Sequence, residues 1–216
     1  MLYAIPTKRG YGVTLYGDYN DLESLDGTIH LICDEESYGV YWHKERALSI
    51  AYEIRKAYEG KRQRIIDEEH GSTYYATNID WPAALFYASF LRRTAGFCQT
   101  TKKDQANLYR FEYCIESALA SYDYNTARDI LYWYDTIGSV PQDFIMSFVG
   151  EISYEYLYGG LSGKRNFKRL PELLRNIYSS SDEYKRFAEY IKAEAQKNNC
   201  RPDQLWDGRD WPEIKW

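Results

Sequence analysis

The chain has 216 residues, a formal net charge of −5, and 44% hydrophobic against 27% charged residues, the balance of a globular protein able to bury a real core. It holds 23 tyrosines but three histidines and two methionines. A tyrosine ring packs like a hydrophobe while its hydroxyl needs water or a partner, so cores and surfaces with wet, hydrogen-bonding edges are expected. Three well-separated histidines, with no H-x-x-x-H or E-x-x-H, argue against an all-histidine or di-iron metal site, and no stretch of residues specifies a reaction.

The charge is uneven. Residues 1–36 carry two basic groups, Lys8 and Arg9, against seven acids, Asp18, Asp21, Glu23, Asp26, Asp34, Glu35 and Glu36. That local balance equals the charge of the whole chain, so the remainder is neutral. An acidic lobe repels phosphate backbones and suits a basic partner face, or it is a solvated helix face. Cys33, Cys98, Cys114 and Cys200 lie far apart with no C-x-x-C pair, which argues against a zinc clip and a disulfide scaffold. The opening Met1–Arg9 lacks the apolar run of a signal peptide, and no apolar stretch approaches about 18 residues. The expectation is a reducing cytoplasm, free thiols and no membrane partner.

In chain order, Leu2–Ile5 and Tyr11–Tyr16 are short β-prone runs joined by a turn at Pro6–Gly10. Val13 and Leu15 share one face, Thr14 and Tyr16 the other. Asn20 and Glu23 have capping-box spacing, followed by the stripe Leu22, Leu25, Ile29 and Ile32. A strand or loop at Tyr38–Trp42 precedes a helix from about Glu45, with Leu48, Ala51, Ile54 and Tyr58 as its stripe. Thr73–Ile79 is a third strand candidate. Asp80-Trp81-Pro82 opens a nearly all-apolar helix over Ala83–Ala95, with proline in its tolerated first turn.

Helical spacing then predicts Lys103–Tyr122 with Leu108, Phe111, Ile115 and Leu119 inside, and a helix from Thr126 and Asp129 with Ile130, Trp133, Tyr134 and Ile137. A segment opened by Pro141 carries Phe144, Ile145, Phe148, Val149 and Ile152. Pro171 opens Glu172–Tyr178, and a capping box at Ser180 and Glu183 opens a last helix with Tyr184, Phe187, Ala188 and Ile191. Trp206, Trp211 and Trp216 make the tail one that should dock. The fold class is α+β, mainly α: a small N-terminal β element, a hairpin plus one or two strands, joined to a helical bundle. Residues 1–80 form the mixed lobe, and 81–216 form the bundle with its docked tail.

Candidate sites follow from residue types and spacing. Gly159-Gly160-Leu161-Ser162-Gly163-Lys164-Arg165 is not a P-loop, since Tyr158 and Arg165 stand where glycine and a metal-binding hydroxyl are needed. It reads as a helix–helix connection. Lys164, Arg165, Lys168, Arg169 and Arg175 surround the single acid Glu172, and with Asn166 and Phe167 interleaved they are candidates for phosphate or nucleic-acid contact. Arg64 and His70 have the R-x5-H spacing of HEPN-type ribonucleases, where arginine steadies phosphate and histidine moves protons. Ile65 stands where that pattern has a polar residue, and the carboxylates of Asp67-Glu68-Glu69 repel RNA. His43 is a lone candidate base, and His30 reads as half-buried. The pairs Glu112/Glu116 and Glu151/Glu155 lie one turn apart, suited to a cation or to balance by nearby Lys or Arg. Thr101 reads as an N-cap. Arg92, Arg93, Lys102 and Lys103 gather positive charge near that helix start, and Gln105 and Asn107 offer polar ends to a ligand.

Asp80-Trp81-Pro82, Leu91-Arg92-Arg93-Thr94-Ala95, Thr101–Tyr109 and Gly12–Tyr19 resemble blocks of an uncharacterised family of bacterial proteins of about this length. The resemblance implies a bacterial cytoplasmic protein of unknown role and assigns no functional residue. The residues themselves point to recognition by a tyrosine- and tryptophan-rich surface. The expected partner is a protein, in an adaptor, inhibitor or defence setting, with a homo-oligomer as a further arrangement. No metal or cofactor is called for. The alternative is an RNA- or nucleotide-processing enzyme using Arg64 and His70 or the basic anion site.

Overall fold

The computed structural model of the chain describes residues 1–34, 44–69, 71–137, 144–202, 205 and 213–216. Tyr38–Trp42, His43, His70, Pro141, Trp206 and Trp211 lie outside the described residues.

Two hairpins make one antiparallel sheet. Strands β1 (Tyr3–Pro6) and β2 (Gly12–Gly17) pair first, and β3 (Gln63–Asp67) pairs with β4 (Ser72–Asp80). β4 lies beside β2, giving the order β1-β2-β4-β3. Val13 and Leu15 are buried on one face, and Thr14 and Tyr16 are nearly as buried on the other. Thr14 donates its hydroxyl to Asn78 Oδ1 at 2.7 Å, and Tyr16 stacks on Tyr3 with ring centroids 4.8 Å apart. The tyrosine hydroxyls let this sheet bury rings without abandoning polar contact.

Among the described residues the sheet has four strands, because β3 forms where sequence patterning shows none. Gln63–Asp67 does not alternate apolar with polar, and both Ile65 and Ile66 are exposed, at 41% and 59%. Its partner β4 supplies the pairing, with Ile65 opposite Tyr74 and Arg64 opposite Tyr75.

Helix α1 (Tyr19–Asp34) buries Leu22, Leu25, Ile29 and Ile32 as its spacing requires. Its start differs from the expected box at Asn20: the Asp21 amide donates to Asp18 Oδ1 at 2.9 Å, so Asp18 is the cap. Helix α2 (Lys44–Lys56) packs on α1 and ends in a wide turn, Ala57–Lys61, where Gly60 takes φ 77°. Helix α3 (Trp81–Thr94) is buried on nearly every side. Asp80 caps it, Pro82 sits in its first turn, and α4, α5 and α6 surround it. An all-round apolar helix has no other place to go.

Helices α4 (Lys102–Tyr122), α5 (Tyr124–Ile137) and α6 (Ile145–Tyr158) complete the bundle, followed by the short α7 (Gly163–Phe167) and α8 (Leu170–Asn176) and the long α9 (Asp182–Lys197). Asp123, not Thr126, caps α5, and Ser181, not Ser180, caps α9. Buried residues of the sheet and of the helices belong to a single hydrophobic cluster. All four cysteines are free thiols, Cys33 and Cys114 buried. At the tail, Ile214 packs against the core and Trp216 is half-buried.

Candidate functional site

The glycine cluster is a connection. Gly163 takes φ +62°, a left-handed conformation that suits glycine, and its amide donates to the Arg9 carbonyl at 2.7 Å. The basic β1–β2 turn, Lys8-Arg9, is thereby held against α7. Lys164 approaches Asp123 at 3.9 Å and Arg169 pairs with Glu155, while Arg165 and Lys168 are exposed. Asn166, expected as an interleaved contact residue, is buried and donates to the Tyr156 carbonyl. Phe167 is also buried, edge-on to Trp81 and Tyr122. Neither is presented to a base.

Several acids of the N-terminal stretch are consumed internally. Asp18 caps α1, Asp21 takes the Met1 amino group at 2.7 Å, and Asp26 accepts the Tyr58 hydroxyl at 2.9 Å. Burial, then the bond to Asp26, pushes Tyr58 up to about 12. His30 is half-buried as expected, its Nε2 3.6 Å from Asp26 Oδ1. Asp80 accepts from the Ala83 amide at 3.0 Å and from Ser153 Oγ at 2.7 Å, and burial raises its pKa. It ties the start of α3 to α6.

The richest convergence lies where α3 ends and α4 begins. Thr101 opens α4 with a capping box. It accepts from the Asp104 amide, and Asp104 Oδ2 takes the Thr101 amide at 2.9 Å and its hydroxyl at 2.6 Å. Asp104 Oδ1 takes the Thr28 hydroxyl at 2.8 Å. Burial works to raise Asp104, but the Thr101 and Thr28 bonds outweigh it and its pKa lies below the ordinary carboxylate value. Asn107 donates to Ser24 and Thr28 of α1. Its polar end therefore clamps two helices.

Arg92, in the last turn of α3, meets α4 with its whole guanidinium. Nε and Nη2 donate to the two oxygens of Glu112 at 2.6 and 2.9 Å, and Nη1 donates to Gln105 Oε1 at 2.7 Å. Gln105 Nε2 in turn donates to Thr100. The guanidinium carbon stands 3.9 Å from the centroid of the Tyr109 ring. Burial lowers the Arg92 pKa, and the Glu112 hydrogen bonds and charge more than offset this, so it stays a cation. A bidentate, stacked arginine is geometrically fixed in a way a lysine is not.

Tyr109 is thus held from beneath while 64% exposed, and Tyr113, one turn on, is 71% exposed. Along the solvent side of α4, Lys102, Ala106, Tyr109, Tyr113, Glu116 and Ala120 recur at helical spacing, all exposed. Two large rings sit amid small or flexible neighbours. Of the sequence candidates, Arg92 and Gln105 come together here, Lys102 and Lys103 flank the helix start in solvent, Arg93 is exposed beside Tyr178, and Asn107 is turned inward. Tyr109, Tyr113 and Glu112 complete the cluster. Arg64 is exposed on β3, far in sequence from this convergence.

Among the described residues, no group of three or more His, Cys, Asp or Glu is arranged to hold a metal ion, and no helix is long and apolar enough to cross a membrane. What the α3–α4 corner defines chemically is an exposed aromatic pair on one helix, with Tyr109 stacked on an arginine. The chain belongs to a family described as a domain of unknown function (DUF6904), whose profile matches residues 2–216. No curated protein and no solved structure matches it.

Proposed function

We propose that this is a recognition protein that binds a protein partner through the exposed face of α4, with Tyr109 and Tyr113 as its central contacts. The observation that carries the reading is the Arg92 guanidinium stacked at 3.9 Å under an otherwise exposed Tyr109 and locked by Glu112 and Gln105. Tyrosine and arginine are enriched at the energetic centres of interfaces, and a pre-ordered ring loses less entropy on binding than a free one. In this reading the protein works in a bacterial cytoplasm as an adaptor, inhibitor or defence accessory. The test is quantitative affinity capture from the native host with wild type and a Tyr109→Ala/Tyr113→Ala variant. Proteins retained by wild type and lost with the variant support the reading, and identical captures overturn it.

A second reading, contact with RNA or another phosphate polymer, draws on the bond between Gly163 and Arg9, which gathers Lys8, Arg9, Lys164, Arg165 and Lys168 at one corner. Phosphate contacts of this kind weaken steeply with salt. Salt-dependent binding of single-stranded RNA, lost in a Lys164→Glu/Lys168→Glu variant, is its signature.

A further inference from the structure

The two edges of the sheet are treated differently. β1 is packed against by α4 and ends in Pro6, which has no amide hydrogen to offer a neighbour. β3 is the other edge, and among the described residues no strand pairs with its outer side. Edge strands are usually blunted by central charges or proline, because open amides and carbonyls recruit another strand. β3 instead carries Ile65 and Ile66 at its centre, both exposed. Its charges are at its ends: Lys61, Arg62 and Arg64 precede or begin it, and Asp67, Glu68 and Glu69 end or follow it.

That order of charges is self-complementary when the strand is reversed. In an antiparallel pair related by a two-fold axis perpendicular to the sheet, each basic end meets the acidic end of the other copy. Alternation keeps Arg64 and Ile66 on one face, and Glu68 is the first residue of the turn that follows the strand. An axis through Ile66 sets Ile66 opposite Ile66 and Arg64 opposite Glu68, twice by symmetry. An axis through Ile65 would instead set Arg62 opposite Glu68, but Arg62 is already held by both oxygens of Glu53 at 2.7 and 2.9 Å. Lys61 is likewise held by Glu59 at 2.7 Å. Among the described residues no ion pair engages Arg64 or Glu68. Ile66 is also the more exposed of the two isoleucines.

We propose that β3 pairs antiparallel with β3 of a second copy of this chain about a two-fold axis at Ile66, joining two four-stranded sheets into one of eight, with Arg64 of each copy against Glu68 of the other. A five-residue edge is a small interface, so the dimer forms in a concentration-dependent way. Opposite charges facing across strands stabilise the pair and like charges oppose it, so reversing one partner at both symmetric positions weakens association by about ten-fold or more.

Sedimentation velocity from low micromolar to a few hundred micromolar is the readout. Wild type shifts from monomer to dimer over that range. Arg64→Glu and Glu68→Arg each need at least about ten-fold higher concentration to dimerise, because each sets like charges together twice. The two single variants mixed in equal amounts associate again, and so does the double variant Arg64→Glu/Glu68→Arg, because each restores both pairs. Both side chains are exposed, so circular dichroism and melting temperature of the variants should match wild type and separate lost pairing from lost fold. A wild type that stays monomeric, single variants that dimerise as well as wild type, or a mixture that fails to associate would each overturn the proposal.

Discussion

Tyr156 of α6 donates its hydroxyl to the carbonyl oxygen of Gly10 in the β1–β2 turn, at 2.8 Å and across 146 residues of sequence. Both groups are buried, and Tyr156 is 0% exposed. Tyr122 packs its ring end against Gly10 as well, so closely that a Cβ there would overlap it, and Gly10 takes φ +68°. With the Gly163 amide on the Arg9 carbonyl, these contacts fasten the first hairpin to α4, α6 and the start of α7. A heavy use of tyrosine serves this purpose, since one side chain fills core volume and also satisfies a distant carbonyl.

Tyr156→Phe keeps the ring and leaves the Gly10 carbonyl without its donor. The cost of a buried unsatisfied acceptor is about 1–3 kcal/mol. In a chain of this size each kcal/mol is worth roughly 2–4 °C of melting temperature. A thermal scan of the variant should therefore show a drop of several degrees with unchanged helical signal, and an unshifted transition contradicts the assignment.

The Asp104 clamp has a pH signature. Its folded pKa is depressed below the ordinary value of 3.8. A depressed acid contributes stability above its unfolded pKa and loses that contribution as pH falls through the folded pKa. Asp104→Asn should thus be clearly less stable than wild type at neutral pH, and the gap should narrow as both are acidified below pH 3.8. Urea titrations at neutral and acid pH measure the gap, and a gap that stays constant with pH tells against an ionised, hydrogen-bonded Asp104.

Thiol reactivity should follow burial. Cys33 and Cys114 are buried, and burial pushes the Cys114 thiol up to about 11, which leaves little thiolate at neutral pH. Timed alkylation of the native protein, read by mass spectrometry without reduction, should modify Cys98 and Cys200 well before Cys33 and Cys114. Early labelling of Cys114, or any pair protected as a disulfide, is the contrary result.

At the α3–α4 corner, stability and recognition should separate. Arg92→Ala strands the largely buried Glu112 carboxylate, a loss of about 2–4 kcal/mol for a partly buried, hydrogen-bonded pair. Tyr109→Ala and Tyr113→Ala remove exposed rings, and exposed substitutions usually shift stability by about 0.5 kcal/mol or less. Denaturation curves should place Arg92→Ala clearly below the two tyrosine variants. Arg92→Lys should fall between them, since it keeps the charge but loses the fork and the stacking.

The long helices were legible because their stripes repeat: Leu22, Leu25, Ile29 and Ile32 on α1, and Leu108, Phe111, Ile115 and Leu119 on α4, are all buried. Helix starts were less so. Asp18, Asp123 and Ser181 cap where neighbouring residues of the right chemistry, Asn20, Thr126 and Ser180, also stood within three positions. β3 carries no alternation, because as an edge strand exposed on both faces it has no buried side to impose one. The site was half legible. Arg92 and Gln105 announce themselves as polar groups at a helix junction, but the partner that fixes Arg92 is Glu112, 20 residues away, and only packing of α3 on α4 brings them together. Asn107 could not be told from Gln105 by type, since its inward turn depends on where Ser24 and Thr28 of α1 lie.

The central claim, recognition through the exposed face of α4, is tested most directly by site-specific photo-crosslinking in the native host, with a photoreactive phenylalanine analogue at Tyr109, at Tyr113 and, as a control, at the equally exposed Tyr190 of α9. The account predicts that one protein is captured from positions 109 and 113 and not from 190. Capture of the same species from all three positions, or from 190 alone, contradicts it.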